Sequence, residues 1–267
     1  MKPYIALFRM RMIAGMQYRA AAWAGAATQF FWGLIFIMIY SAFYRSSAVE
    51  PPMRWNQLAT YIWLQQMFLF IVMIWAQDNE LLRHVTDGNV AYELCRPYDL
   101  FKIWCARLLA FRLSSSFLRF LPILIIAFLL PAQYKMSPPV SLGAAGLFLI
   151  SLSLGLLIVT AVSMFIYILT IITLSPVGSR LIISVAADFL MGAVIPIPLM
   201  PASLQRVLDW FPFRYISDLP FRIYSGSIAG GDALFQMGVQ VAWIIGLFML
   251  GRLSFNKVMR RVVIQGG

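Results

Sequence analysis

The sequence predicts an all-α protein that crosses a membrane several times, and three observations carry that reading. The 267 residues are 61% hydrophobic and 12% charged, whereas a soluble domain is about 45–50% apolar and about 25% charged. Six apolar runs each reach the roughly 20 residues that a helix needs to cross about 30 Å of hydrocarbon. The basic residues gather in alternate connections between those runs. With a mean hydropathy of +0.82, the chain has too little polar surface to cover a water-soluble body of its size.

The elements follow in order. Residues 1–20, MKPYIALFRMRMIAGMQYRA, mix aromatic, Met and Leu residues with basic ones. They predict a helix lying at the membrane interface, although its charges do not share one helical face. A cleaved secretory leader is not expected, because the apolar stretch that follows is too long and no small-residue cleavage site closes it. The six runs are Ala21–Tyr44, Gln57–Ala76, Leu109–Leu130, Ser141–Leu174, Leu181–Met200 and Ala233–Leu253. The fourth is long enough for a tilted span with extra turns.

The connections vote on orientation. Lys2, Arg9, Arg11, Arg19, Arg83, Arg96, Lys102, Arg107, Arg112, Arg180, Arg252, Lys257, Arg260 and Arg261 fall on one side; Arg45, Arg54, Lys135, Arg206, Arg214 and Arg222 fall on the other. Fourteen against six places both termini in the cytoplasm. The formal net charge of +11 would suggest nucleic acid in a soluble protein. Here the cations sit between apolar runs, where lipid headgroups are their partners. Cys95 and Cys105 are too few for a disulfide framework or a metal site and read as free thiols.

Charge concentrates in DNELLRHVTDGNVAYELCRPYDLFKIWCARL, Asp78–Leu108. Asn79–Val85 predicts a short helix with Glu80 and Arg83 on one face. Gly88 can take a positive φ in the turn that follows. VAYEL predicts a further short helix or extended piece, and Asp99 is placed to cap the helix leading into the third run. Residues 78–104 thus form a compact elbow, too small for a catalytic domain. Glu80, Arg83, Asp87 and Glu93, together with Arg96, offer polar contacts for a separate cytoplasmic protein. Read from the loop alone, a docking element and a plain connector fit equally well.

Pro196, Pro198 and Pro201 are expected to end the fifth run. Residues 201–232 then predict short helices lying in or dipping into the outer leaflet, with Phe211 and Phe213 among the aromatic anchors. Pro196, Pro198, Phe211 and Phe213 are the candidate outer gate. At membrane depth, Asp188 needs a partner, with Arg119 the first candidate and Arg180 the second. Gln29, Gln65 and Gln66 add polar surface that suits either a path or helix–helix bonding. No P-loop, H-E-x-x-H or G-x-S-x-G motif occurs, and His84 is the lone histidine. No enzyme activity and no metal or other cofactor is expected in this chain.

Two stretches, DGNVAYELCRPYD (Asp87–Asp99) and IPIPLMPASLQRVLDWFPFRYISDLPFRIYSGSI (Ile195–Ile228), resemble the membrane subunits of ABC-2 type exporters. The likeness lies in the order of elements: a basic start, a charged loop after the second run, and Pro-rich and PF-containing segments before the last. It covers nearly the whole chain. The resemblance implies the six-span fold of these type V exporters in a bacterial cytoplasmic membrane. It implies pairing with a second copy or a paralogous permease, and two separate ATPase subunits that hold ATP and Mg. The loop matching Asp78–Arg96, with Gly88 at its turn, would be the coupling element. The cargo would be amphipathic or hydrophobic. A membrane scaffold and an integral membrane enzyme are the alternatives.

Overall fold

The computed structural model describes residues 2–46 and 51–260. Arg261, one of the basic residues that set the orientation, lies outside them, as does the side chain of Lys2. The elements are α1 (Lys2–Met16), α2 (Arg19–Ser46), α3 (Trp55–Met67), α4 (Leu69–Val72), α5 (Asn79–Thr86), α6 (Val90–Leu94), α7 (Leu100–Leu129), α8 (Leu142–Thr173), α9 (Pro176–Leu190), a 3-10 turn (Ile197–Leu199), α10 (Ala202–Leu208), α11 (Arg214–Tyr224) and α12 (Gly230–Met259). No strand occurs among the described residues.

Among the described residues four helices, α2, α7, α8 and α12, are long and apolar enough to cross a membrane. The second and fifth of the six expected runs do not form single long helices. The second run splits at Phe68, α4 ends at Val72, and Met73 is extended. Arg112 satisfies the end of α4: its Nη1 donates to the carbonyls of Phe70 (3.1 Å) and Met73 (2.8 Å). A helix end inside the protein is tolerable only when its free carbonyls find such donors.

The fifth run differs at both ends. Its helix begins at Pro176, where the Ser175 hydroxyl accepts from the Gly178 amide and proline occupies the first turn. It stops at Leu190, before the prolines, because the chain turns at Gly192 with φ 78°. At about 1.5 Å per residue, α9 is only about 22 Å long. Pro196 and Pro198 therefore sit in the turn beyond the helix and do not break it.

Helix α3 is buried on every side from Leu58 to Met67, with Thr60, Gln65 and Gln66 among the buried residues. Asp99 caps α7 as expected, its carboxylate accepting from the Lys102 amide at 3.2 Å. Helix α1 runs beside the first half of α7: the Tyr4 hydroxyl accepts from the Asp99 amide at 3.1 Å, and Gly15 lies against Ser114.

Helix α11 is buried between α3, α8 and α12, although it carries Arg214, Asp218 and Arg222. It reaches Gly155, about 20 Å along α8 from Leu142. A Cβ at Gly155 would lie 2.5 Å from the Ile216 carbonyl oxygen. Pro220 leaves that carbonyl without its helical donor, and glycine lets α8 approach it closely. Gln240 of α12 donates to the carbonyls of Ser151 and Tyr215, both at 2.8 Å, and accepts from the Ser151 hydroxyl at 3.1 Å. The Tyr215 carbonyl of α11 thus finds its extra donor within the protein, as buried backbone near a helix start requires.

Candidate functional site

The elbow between α4 and α7 is built around one buried cation. Arg107 is 3% exposed and faces three carboxylates: Asp78 at 3.1 Å, Glu80 at 3.4 Å and Glu93 at 3.8 Å. Asp78 also caps α5, accepting from the amides of Glu80 and Leu81. Its own amide donates to the Tyr167 hydroxyl of α8 at 3.1 Å. Glu93 accepts from the Trp104 indole at 2.8 Å and lies 3.5 Å from His84. Glu80 takes both guanidinium nitrogens of Arg11, one of them at 3.0 Å. One network thereby ties α1, α5, α6, α7 and α8 together.

Its electrostatics follow from that geometry. Arg11 donating to Glu80 holds this carboxyl well down, to about 2, with partial burial opposing and the field of Arg107 assisting. At Asp99, burial pushes the carboxyl up. The donations from Arg252 and the Lys102 amide outweigh it, and the group lies below the usual carboxylate range.

The residues expected to meet a partner therefore divide. Glu80 and Glu93 are occupied within the chain. Arg83, Asp87 and Arg96 are exposed, and they make no ion pair among the described residues. Gly88 takes φ 73° with open space around it, so its role is the turn itself. The α5–α6 turn also forms one wall of a cleft of about 1150 Å³, whose other walls are Phe165, Ile168 and Ile172 of α8, Ile183 of α9, and Lys257 of α12.

The intramembrane polar residues are placed differently from the expected pair. The Arg119 guanidinium stacks over the Phe70 ring at 3.9 Å and packs against Gly25. No ion pair joins it to Asp188 among the described residues. Arg180 bonds the Asn79 side chain at 3.3 Å. Asp188 makes no ion pair among the described residues, and its Oδ1 is buried without a hydrogen-bond partner; the fully buried Arg112 donates instead to the Ser163 hydroxyl at 2.8 Å. Gln65 donates to the Ala193 carbonyl at 2.8 Å, joining α3 to the turn after α9. Gln29 and Gln66 are buried within the bundle, and neither lines the cleft.

At the opposite end, Pro196 and Pro198 are buried, Phe213 is half-buried and Phe211 is exposed. Beneath them, Asp218 lies fully buried between Arg214 and Arg222, each 3.6 Å away, with the Tyr61 hydroxyl donating at 3.4 Å. Arg214 also pairs with Asp209.

Sequence reasoning counted Arg107 and Arg112 only as markers of orientation. The signal that could single them out is their setting: two arginines five positions apart in a largely apolar helix that packs on several others. A guanidinium that cannot reach water must find acceptors in the protein. Asp218 carried the same signal, with an arginine four positions away on each side.

The chain's features also appear in a known family. A family model described as ABC-2 family transporter protein matches residues 30–266. No curated protein matches the chain.

Proposed function

The chain belongs to the ABC-2 family of transporter proteins, and from that premise we propose that it is the permease subunit of an ATP-driven exporter. It is a multi-pass membrane protein of a transport family; its ATPase partner, orientation and cargo are part of the proposal. Two separate ATPase subunits would bind ATP and Mg. Two permease subunits, identical or paralogous, would enclose the path. The membrane would be a bacterial cytoplasmic membrane, as the family resemblance implies, and the basic bias favours both termini and the elbow in the cytoplasm. In this reading the chain crosses six times, with α3–α4 and α9 as two short passes packed against longer neighbours.

The observation that carries the proposal is the build of the elbow. It offers Arg83, Asp87 and Arg96 outward, while its other charges fasten it to α1, α7 and α8. A push on the exposed face would be transmitted by Asp78–Tyr167 and the Arg107 cluster to α8. Near its middle α8 packs against α11 at Gly155 and is joined to it through Gln240 of α12, which bonds both Ser151 and Tyr215, and α11 in turn bonds Met191 at the start of the turn that leads to Pro196 and Pro198. Helix α8 is thus a lever between an ATPase-facing elbow and an outer gate. The cleft beside the elbow would change shape with it, opening and closing an apolar path to an amphipathic or hydrophobic cargo in alternation.

The test is affinity purification of the full chain from its native membrane. An ATPase carrying a P-loop should copurify. Arg83→Glu combined with Asp87→Lys should release it and abolish ATP-dependent transport in vesicles, with the chain still membrane-inserted. An unchanged ATPase yield and unchanged transport in the double variant would refute the docking role. Orientation is checked separately at Cys95, which is exposed: a membrane-impermeant maleimide should reach it only after permeabilisation.

A further inference from the structure

We propose that the cleft between α1, α7 and α12 is a binding site for one anionic phospholipid. The inference goes beyond the transport reading. It rests on the chain being a membrane protein and not on the elbow docking an ATPase.

The cleft has a volume of about 610 Å³, within the roughly 300–1,000 Å³ of small-molecule sites. That is room for a headgroup, its glycerol and the start of one acyl chain. Its two ends differ in chemistry. One end holds Lys102 and Arg252 around Asp99, with Tyr4 of α1 beside them; the other is Cys105, Ala106, Leu109 and Phe248. The polar end lies at the start of α7 and near the end of α12, and the apolar end lies further along both helices.

The charges at the polar end do not cancel. Asp99 is taken up by Arg252 and by the Lys102 backbone amide. The Lys102 ammonium is exposed and has no carboxylate partner among the described residues. The Arg252 side chain is 41% exposed and lies over the Phe101 ring at 5.6 Å. Its guanidinium therefore keeps donors facing out, in a fork that suits phosphate oxygens. Two cations around one satisfied carboxylate leave a positive mouth above an apolar floor.

The floor identifies the occupant as a lipid. A free phosphate would use the two cations and leave the floor empty. One turn before Phe248 on α12, Ile245 is exposed, so an acyl chain leaving the floor meets further apolar surface on the same side of that helix. Basic pockets between membrane helices hold anionic headgroups by this combination of charge and apolar surface. Bound there, the lipid would touch Tyr4 and clamp α1 onto α7 and α12.

The experiment uses the full-length chain purified in mild detergent. Native mass spectrometry is run with added phosphatidylglycerol, phosphatidylcholine or inorganic phosphate. In parallel, the chain in phosphatidylcholine nanodiscs is photolabelled with phosphatidylglycerol bearing an acyl-chain diazirine. One phosphatidylglycerol should be retained in preference to phosphatidylcholine, and inorganic phosphate should not displace it. The label should map to 105–109 and 248–252. Lys102→Gln should weaken retention roughly fivefold, the effect of one cation near an anionic lipid surface. Ala106→Phe should block it by filling the floor. Lys135→Gln, on a loop at the opposite end, should change nothing. Equal retention of the two lipids, undiminished retention in Lys102→Gln, or label spread evenly over α2 and α12 would each overturn the proposal and leave only bulk lipid. Displacement by inorganic phosphate would make it a phosphate site. None of these outcomes bears on whether an ATPase copurifies.

Discussion

Replacing Arg107 with methionine should destabilise the protein by about 3–5 kcal/mol, the usual result of breaking a buried ion pair from one side. The magnitude follows from the geometry. Arg107 is 3% exposed and its nearest carboxylate oxygen, on Asp78, is 3.1 Å away. At an effective dielectric of about 20, one such contact represents roughly 5 kcal/mol of gross attraction. Desolvation of the guanidinium consumes much of what the three contacts supply, so the net value of the cluster in the parent is small. Methionine matches the stem of the side chain but leaves Asp78 and Glu93 facing each other without a cation, and that stranding sets the loss. Glu80 suffers less, because it keeps Arg11.

The assay is thermal unfolding in detergent, followed by maleimide reaction of the buried Cys105, with Cys95 replaced by serine so that only the buried thiol reports. Adding Glu93→Gln should recover part of the loss. The amide removes one stranded charge and still accepts from the Trp104 indole. A loss below about 1 kcal/mol, or no recovery in the double variant, would refute the idea that stranded charge is the cause.

Three further outcomes are expected. Gly155→Ala should cost about 1–3 kcal/mol, because its Cβ would meet the Ile216 carbonyl, which is backbone and cannot rotate away. Gly146→Ala in the same helix meets nothing and should be neutral or slightly stabilising, so equal effects in thermal unfolding would contradict the close-approach argument. Leu174→Gly should stabilise by about 1 kcal/mol, because Leu174 holds φ 53° at the end of α8 and is exposed, so little packing is lost; an unchanged or lower midpoint counts against it. Glu80 contributes through a folded pKa of about 2, below its ordinary 4.5. A depressed carboxylate stabilises above its unfolded pKa and loses that contribution as pH falls toward the folded value. The stability gap between the parent and Glu80→Gln should therefore be constant near neutrality and close between about pH 4.5 and 2. A gap unchanged down to pH 3 would show that Arg11 does not hold this carboxyl.

What the sequence made legible was whatever depends on chain-local physics. The long apolar runs became α2, α7, α8 and α12, because an unbroken apolar stretch in lipid has few options besides helix. Asp99 became a cap and Gly88 a positive-φ turn, because both devices are written within a few residues. What failed depends on contacts distant in sequence. Nothing between Gln57 and Ala76 announces that the helix ends at Val72; that end is satisfied by Arg112, some forty residues away. Asp188 was matched to Arg119 on depth alone, but depth does not fix azimuth. Arg119 is turned toward Phe70 and Gly25, and Asp188 is left without an ion pair among the described residues. The elbow shows the same limit from the other direction. Glu80 and Glu93 look like rim charges because they stand in a polar loop. Yet a loop folded back on a basic helix will satisfy that helix first, and Arg107 and Arg11 claim them. The charges left over, Arg83, Asp87 and Arg96, are the ones free for a partner among the described residues. The interface of such an elbow is defined by what its own helices do not use, and that remainder can be read only after the fold has closed around Arg107.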